Sequence, residues 1–340
     1  MDVVTLAYVF FFVIAFVWSV FLFLEGFDFG VGMLTRLVGR NDAERGVILR
    51  AIGPNWDANE VWLLTGGILI FAAFPPWYAA SFPSAYIPLL LLVFCLIVRA
   101  LAIEYRSKRP THRWMNTWDW LTFATGLLLP LLVGVFWAGM VHGIPINAEG
   151  RFVGDSLWSH INVYSVLGGL ALVSYCIAHG SVFLRRKLDV DWQARLTPWA
   201  LRSGAVTVVL MTIFSVWTVL AYSADGVGIA VAAVVVLAFA AALITDRQGR
   251  TLTAFWFNGI GICAFMAQIF VALFPNVLPS TISDGYTLTI ESAAASSTSL
   301  NILAITALIG IPGVIAYQSW SFWVFRGRLR PSELAQSAYK

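Results

Sequence analysis

Nine apolar stretches of about twenty residues, separated by short polar segments, make up most of this chain of 340 residues. A stretch of this length is long enough to cross the hydrocarbon core of a bilayer as an α-helix. Only 11% of the residues are charged, against about 25% in a soluble domain. The sequence therefore predicts an all-α fold, a polytopic membrane bundle of nine transmembrane helices. The predicted spans cover residues 4–33, 52–74, 86–103, 118–141, 163–184, 203–222, 226–244, 252–274 and 300–325.

The distribution of lysine and arginine predicts the orientation of the bundle. Cytoplasmic loops of membrane proteins carry the excess of both residues. With the N-terminus outside and the C-terminus in the cytoplasm, 20 of the 21 basic residues, Arg330 and Lys340 among them, fall at inner loops or inner helix ends, and Arg151 is the exception. A missed helix would destroy this alternation. The bias also accounts for the basic character of the chain without a nucleic-acid partner.

We expect residues 1–340 to form one integral membrane domain. Residues 1–142 form a predicted four-helix half that contains the buried acids, and residues 156–326 form a predicted five-helix half. No basic region and small-residue cleavage site precedes the first span, so the pattern does not indicate a removable signal peptide. The three cysteines lie singly in apolar stretches, which is more typical of small buried side chains than of metal ligands.

Ionisable residues interrupt the first four spans. They are Glu25, Asp28, Asp57, Glu60, Arg99 and Asp119. An acid within a membrane helix costs about 2.5 to 3.5 kcal/mol on insertion scales and is a candidate functional residue by default. Counting from the inner basic residues at about 1.5 Å per residue puts four of the six at depths of about 9 to 12 Å, and Glu25 and Glu60 one turn deeper.

The acids occur in two pairs, Glu25 with Asp28 and Asp57 with Glu60, and a spacing of three residues puts each pair on one helix face. We expect antiparallel packing to set Asp28 beside Asp57 and Glu25 beside Glu60. Crowded carboxylates in a low dielectric share protons, which favours a proton relay. The alternative is a purely structural cluster in which Arg99 neutralises one acid at a tight helix crossing.

The histidines do not form a pattern for haem binding. His112 falls in an inner loop, His142 and His160 fall on the outer side, and His179 is alone near the inner end of its span. A haem held between two axial histidines needs a pair at matching depth. The sequence therefore predicts that this chain ligates no haem and no metal.

Several motifs in the first half of the chain resemble one family. The clearest are Gly26 to Leu34 (GFDFGVGML) and Trp56 to Trp62 (WDANEVW), followed by Tyr105 to Lys108 (YRSK) and Arg113 to Trp120 (RWMNTWDW). The resemblance is dense over residues 20–145 and thin afterwards. On these motifs the sequence resembles subunit II of the cytochrome bd-type quinol oxidases of bacterial respiratory chains.

The resemblance implies a heterodimer in the bacterial cytoplasmic membrane. Subunit I would hold two haems b and one haem d, and quinol would be the substrate whose electrons reduce dioxygen to water. Whether the complex also contains a small single-helix accessory subunit stays open. The resemblance further implies that Asp57 belongs to the proton pathway from the cytoplasm. Arg99, Asp119 and Asp28 match positions that support the haem region, and Trp62 matches a position near the oxygen access route.

This chain departs from the family at two acids. The family often has aspartate in place of Glu25 and glutamine in place of Glu60. Glu60 is therefore an additional acid beside Asp57. The predicted proton pathway comprises Asp57, Glu60, Glu25 and Asp28. Two other functions stay open from the residues alone. One is a proton-coupled secondary transporter, which also carries acids near the midplane, and the other is a purely structural scaffold subunit.

Overall fold

The computed structural model describes residues 2–329, and its architecture is a bundle of long helices. Arg330 and Lys340, which were counted with the inner basic residues, lie outside the described residues. The eleven helices are α1 Val3–Val38, α2 Asp42–Arg50, α3 Trp56–Ala73, α4 Pro75–Ser84, α5 Tyr86–Tyr105, α6 His112–His142, α7 Val163–Lys187, α8 Gln193–Tyr222, α9 Gly226–Arg247, α10 Thr251–Leu273 and α11 Ser297–Val324.

Helix starts follow local capping chemistry. The side chain of Asp2 accepts a hydrogen bond from the backbone N–H of Thr5 at 2.7 Å, and Asn162 forms a reciprocal capping box with Ser165. Asp225 caps α9 in the same way through Gly228. These side chains satisfy amide groups that have no partner within the helix, so the sequence itself sets where these spans begin.

Eight of these helices are long and apolar enough to cross a membrane within residues 2–329. All nine predicted spans correspond to a helix, but α3 is not among the eight. It is 18 residues long, and its first turns carry Asp57, Asn59 and Glu60. The predicted count of nine spans and the predicted orientation therefore stay predictions, whereas a mostly helical membrane bundle is what the structure has.

Helix α1 lies at the centre of the bundle and packs against α3, α6, α7 and α10. Its closest crossing is with α7, where Gly30 meets Gly180 and the backbone carbonyl of Cys176. A Cβ atom at Gly30 would overlap that carbonyl, so only glycine permits this approach. The crossing brings the acid-bearing face of α1 into the interior.

Outside the long helices, a two-stranded sheet and a pair of backbone hydrogen bonds order the loops that connect α6 with α7 and α10 with α11. Strands β1, Asn276–Leu278, and β2, Leu288–Thr289, pair antiparallel. The backbone of Ile144, which follows α6, bonds to Pro279 and Thr281 in the same region. The Ser/Thr-rich segment between α10 and α11 is therefore structured and packs against the end of α6.

Candidate functional site

One arginine and three acids meet in the interior of the bundle. Arg99 of α5 places Nη1 2.8 Å from Glu25 Oε2 and 2.7 Å from Glu60 Oε1, and its Nη2 lies 3.9 Å from Asp28 Oδ2. The side chains of Glu25 and Asp28 are fully buried, and that of Arg99 is almost so. Glu60 retains 19% exposure. We call these four residues the Arg99 cluster.

Aromatic rings enclose the guanidinium of Arg99. Its Cζ lies 4.9 Å from the ring centre of Phe29 and 5.9 Å from that of Trp56. A cation over an aromatic face is stabilised by the ring quadrupole, more strongly where water is excluded. The rings therefore help to hold a buried cation whose partners are all acids.

The charges of the Arg99 cluster do not balance. One guanidinium faces three carboxyl groups, and uncompensated charge in a low dielectric is costly. Proton binding is the means by which such a group of carboxyls adjusts its charge. Oε1 of Glu25 and Oδ1 of Asp28 have no hydrogen-bond partner within the described part of the chain, whereas Oε2 of Glu25 faces Arg99. The arrangement is thus chemically suited to take up and release protons.

A chain of hydrogen bonds connects Asp28 to α11. Asn59 donates from Nδ2 to Asp28 Oδ2 at 2.7 Å, and Gln318 donates from Nε2 to Asn59 Oδ1 at 2.6 Å. Trp62 in turn donates from Nε1 to Gln318 Oε1 at 2.6 Å. All four residues are buried. This chain fixes the C-terminal half of α11 against α3.

The structure does not bring Asp57 into the Arg99 cluster. Asp57 lies in the first turn of α3 and is exposed, and Asn59 takes the predicted place of Asp57 beside Asp28. The depth count from Arg50 assumed one continuous helix, but α2 ends at Arg50 and a turn over residues 51–55 precedes α3. The predicted contact of Asp28 with Asp57 is therefore wrong, whereas Glu25 and Glu60 do meet, through Arg99.

Asp119 belongs to a second ionic cluster. It is fully buried and accepts hydrogen bonds from Arg106, whose Nε lies 2.5 Å from Oδ1, while Arg45 lies 3.4 Å from Oδ2. Arg106 also donates to the backbone carbonyl of Asp42 at 2.8 Å. Asp119 therefore anchors α2 and the inner end of α5 to α6, separately from Arg99.

Helix α2 is also fastened on its other side. Glu44 lies 2.8 Å from Arg195 of α8, and its carboxylate accepts from the backbone N–H of Arg40 at 2.8 Å. The hydrogen bond from Arg195 lowers the pKa of Glu44, with smaller contributions from Arg40. The segment before α3 is thus fixed to two parts of the bundle.

Trp62 is buried in the bundle, with 2% exposure. Its ring packs edge-on against Phe16 of α1 at 6.4 Å. An apolar cavity of about 1110 Å³ lies between α3, α4 and α5, and the next two residues, Leu63 and Leu64, line it. Trp62 itself is not part of its wall. An oxygen access role for Trp62 stays a prediction.

His179, the one histidine predicted within a span, is buried among aromatic rings. Its ring stacks with Tyr175 at 5.2 Å and with Phe255 at 4.6 Å, and its Nε2 lies 3.2 Å from the carbonyl of Phe23. That this chain ligates no haem stays a prediction. Residues 2–329 also contain no group of three or more His, Cys, Asp or Glu that could hold a metal ion.

The sequence interpretation did not single out Gln318 or Asn59 as members of the site. Gln318 is a polar residue in an otherwise apolar span, and Asn59 lies between the two acids of α3. Buried amides in a membrane helix need a partner, and that requirement is the signal that could have identified both. The sequence assigned Arg106 only to the inner flank, although it is the main partner of Asp119.

Comparisons with known proteins show which family this chain resembles. Cytochrome bd ubiquinol oxidase subunit 2 of Bacillus subtilis (strain 168) is 38% identical over 319 residues, which cover 92% of this chain and 94% of the relative. Cytochrome bd-I ubiquinol oxidase subunit 2 of Escherichia coli (strain K12) is 28% identical over 357 residues, with 94% of each chain covered.

A solved structure shares the fold. It is the bd oxidase from Geobacillus thermodenitrificans, matched with a TM-score of 0.76 at 16% identity over 94% of this chain and 98% of the other. The family model of cytochrome bd terminal oxidase subunit II matches residues 6–325. This chain therefore belongs to the family of cytochrome bd terminal oxidase subunit II.

Proposed function

We propose that this chain is subunit II of a bacterial respiratory quinol oxidase of the cytochrome bd type, and that it conducts protons from the cytoplasm toward the site of oxygen reduction in subunit I. The observation that carries the proton role is the Arg99 cluster, in which three carboxyl groups surround one cation. Relatives named cytochrome bd ubiquinol oxidase subunit 2 support the enzyme class.

The entry to the proposed path lies at the start of α3. Asp57 is exposed, Glu60 follows one turn later with partial exposure, and Glu25 and Asp28 are fully buried. This gradient of exposure is what a path from water into the interior requires. In the proposal, Asp57 collects protons, Glu60 passes them inward, and Arg99 keeps the carboxyl groups together.

The partner is proposed to be subunit I, which holds two haems b and one haem d. Helix α11 supports a partner on this side, because its main contacts are with α1 and α3, and only three of its residues, Leu300, Gln318 and Ser321, are buried. Large apolar side chains such as Leu308 and Ile309 stay exposed along it. Haem ligands, quinol oxidation and any small accessory subunit are assigned to other chains.

The test is to express this chain with its partner and to measure quinol-driven oxygen consumption per haem. A Glu25→Gln variant, which keeps the size of the side chain, should slow turnover while the haem content stays near that of the wild type. Unchanged turnover in this variant would remove Glu25 from the path. A complex without quinol oxidase activity would contradict the enzyme class itself.

A scaffold role for the Arg99 cluster is the second candidate function. It is favoured by the observation that Arg99 contacts acids from both α1 and α3 and so holds three helices together. The same Glu25→Gln experiment separates the two, because a purely structural cluster would lose haem content or assembly in step with activity.

A further inference from the structure

Gln318 of α11 lies in the middle of a hydrogen-bond chain that starts at Trp62 and ends on Asp28. An indole N–H can only donate. Because Trp62 Nε1 lies 2.6 Å from the Gln318 amide, that amide must present its oxygen to Trp62 and its NH₂ group to Asn59. Asn59 then accepts with its own oxygen and donates its NH₂ group to Asp28. The direction of every bond follows from the donor at Trp62.

The direction of this chain distinguishes the two oxygens of Asp28. Oδ2 receives the Asn59 donor at 2.7 Å and faces Arg99 at 3.9 Å, whereas Oδ1 is buried without a hydrogen-bond partner within the described residues. A proton on Oδ2 would face two donors. A proton on Oδ1 would face no donor. The hydrogen-bond chain therefore makes Oδ1 the oxygen of Asp28 that can carry a proton.

We propose that Gln318 is a positioning residue for proton transfer, which holds Asn59 in the orientation that makes Asp28 accept at Oδ2 and exchange its proton at Oδ1. This inference rests on the proposed proton role of the Arg99 cluster. It adds a residue more than 250 positions away in the sequence, on a helix that carries no acid of the cluster. Gln318 acts on Asp28 only through Asn59.

The same chain excludes the α11 side as a proton route. Carboxamide groups hold their protons and do not pass them on as carboxyl groups do. Asn59 and Gln318 therefore separate Asp28 from the surface covered by α11. Protons then reach the cluster from the side of Glu60, its partly exposed member.

The test compares turnover per haem in the purified complex for Gln318→Met, Asn59→Leu and the double variant. Each single change should lower turnover by about tenfold. Asn59→Leu removes the hydrogen bond to the Asp28 carboxylate, and Gln318→Met removes the contact that orients this bond. The double variant should be no slower than Asn59→Leu, because Gln318 works through Asn59. Wild-type turnover in either single variant, or losses that multiply in the double variant, would overturn the inference.

Ser321→Ala is the matched control. Ser321 lies one turn beyond Gln318 on α11 and donates to Asn55 Oδ1 at 2.8 Å, so it joins the same two helices without reaching Asp28. Its loss should leave turnover unchanged. If Ser321→Ala slows the enzyme as much as Gln318→Met does, docking of α11 explains both effects and the positioning role is wrong.

Infrared difference spectroscopy gives a second measurement. The C=O stretching band of protonated Asp28 is the one that Asp28→Asn abolishes, and it should move in Gln318→Met but not in Ser321→Ala. If Gln318→Met fails to assemble, Gln318→Leu removes the donor to Asn59 without adding a titratable group. An unmoved band overturns the inference. Wild-type turnover in Asp28→Asn would instead overturn the proposed proton role of Asp28.

Discussion

Arg99 and Glu60 lie 2.7 Å apart, one from α5 and the other from α3, and the acid of this pair is still partly exposed. The pair therefore connects the fully buried acids of α1 to a partly exposed acid of α3. Because one cation faces three acids, we expect the loss of this cation to disturb the cluster more than the loss of any single acid.

The first prediction is that Arg99→Leu lowers assembly more than any single acid replacement in the cluster. Removing the cation leaves Glu25, Asp28 and Glu60 around an apolar side chain, and a buried charge without its partner costs about 3 to 5 kcal/mol. Haem content of the purified membranes is the measurement. Arg109→Leu is the control, because Arg109 is exposed and stacks on the partly exposed Trp114 ring at 4.7 Å. Full assembly of Arg99→Leu would contradict the charge argument.

The second prediction separates Asp57 from Glu60. Asp57→Asn should slow turnover with normal haem content, because Asp57 is exposed and its loss removes no buried partner. Glu60→Gln should be milder, since the amide oxygen can still accept from Arg99 and glutamine is the residue common in the resembling family. Oxygen consumption per haem measures both. An inactive Glu60→Gln enzyme with normal turnover in Asp57→Asn would reverse the proposed order of the two acids.

The third prediction concerns pH and His160, which lies outside the membrane-spanning helices. Burial lowers the pKa of His160 to about 4 from its usual 6.5. The unfolded chain therefore binds a proton between these values when the folded chain does not, so stability falls as the pH drops from about 6.5 to 4. The loss is about 2 kcal/mol at pH 5. The melting temperature should differ less between pH 7.5 and pH 5 in His160→Gln than in the wild type. An equal difference in both proteins would contradict the prediction.

The fourth prediction tests the crossing of α1 and α7. Gly30→Ala places a methyl group against the carbonyl of Cys176, and overpacking of this kind costs about 1 to 3 kcal/mol or more. The melting temperature and yield of the complex should both fall. Gly67→Ala is the control, because a Cβ at Gly67 meets only the ring tip of Phe82 at 3.9 Å. Equal melting temperatures for the two variants would show that the crossing relaxes freely.

The fifth prediction concerns the division of labour between subunits. His179→Phe keeps the stacking against Tyr175 and Phe255 and removes both ring nitrogens. The haem content of the complex should not change, because the His179 ring is fully buried among aromatic side chains. Difference spectra of the reduced and oxidised complex provide the count. A lost haem band with both subunits present would place a ligand in this chain after all.

Some properties of this protein follow from the sequence by itself. Every predicted span corresponds to a helix, because hydropathy over about twenty residues and capping side chains such as Asp2 and Asn162 act locally. The motifs around Asp28 and Asp57 carry the family resemblance, because each is a short contiguous stretch of sequence. Arg99 was correctly placed beside the acids, since depth along a continuous helix can be counted.

The tertiary structure decided which side chains meet. The turn over residues 51–55 broke the depth count, so Asp57 became exposed and Asn59 took its place beside Asp28. Gln318 reached Asn59 only because α11 packs on α3. Contacts of this kind depend on the rotation of each helix about its axis and on close crossings such as Gly30 with Gly180. No local pattern encodes them, because they are set by the packing of all neighbouring helices together.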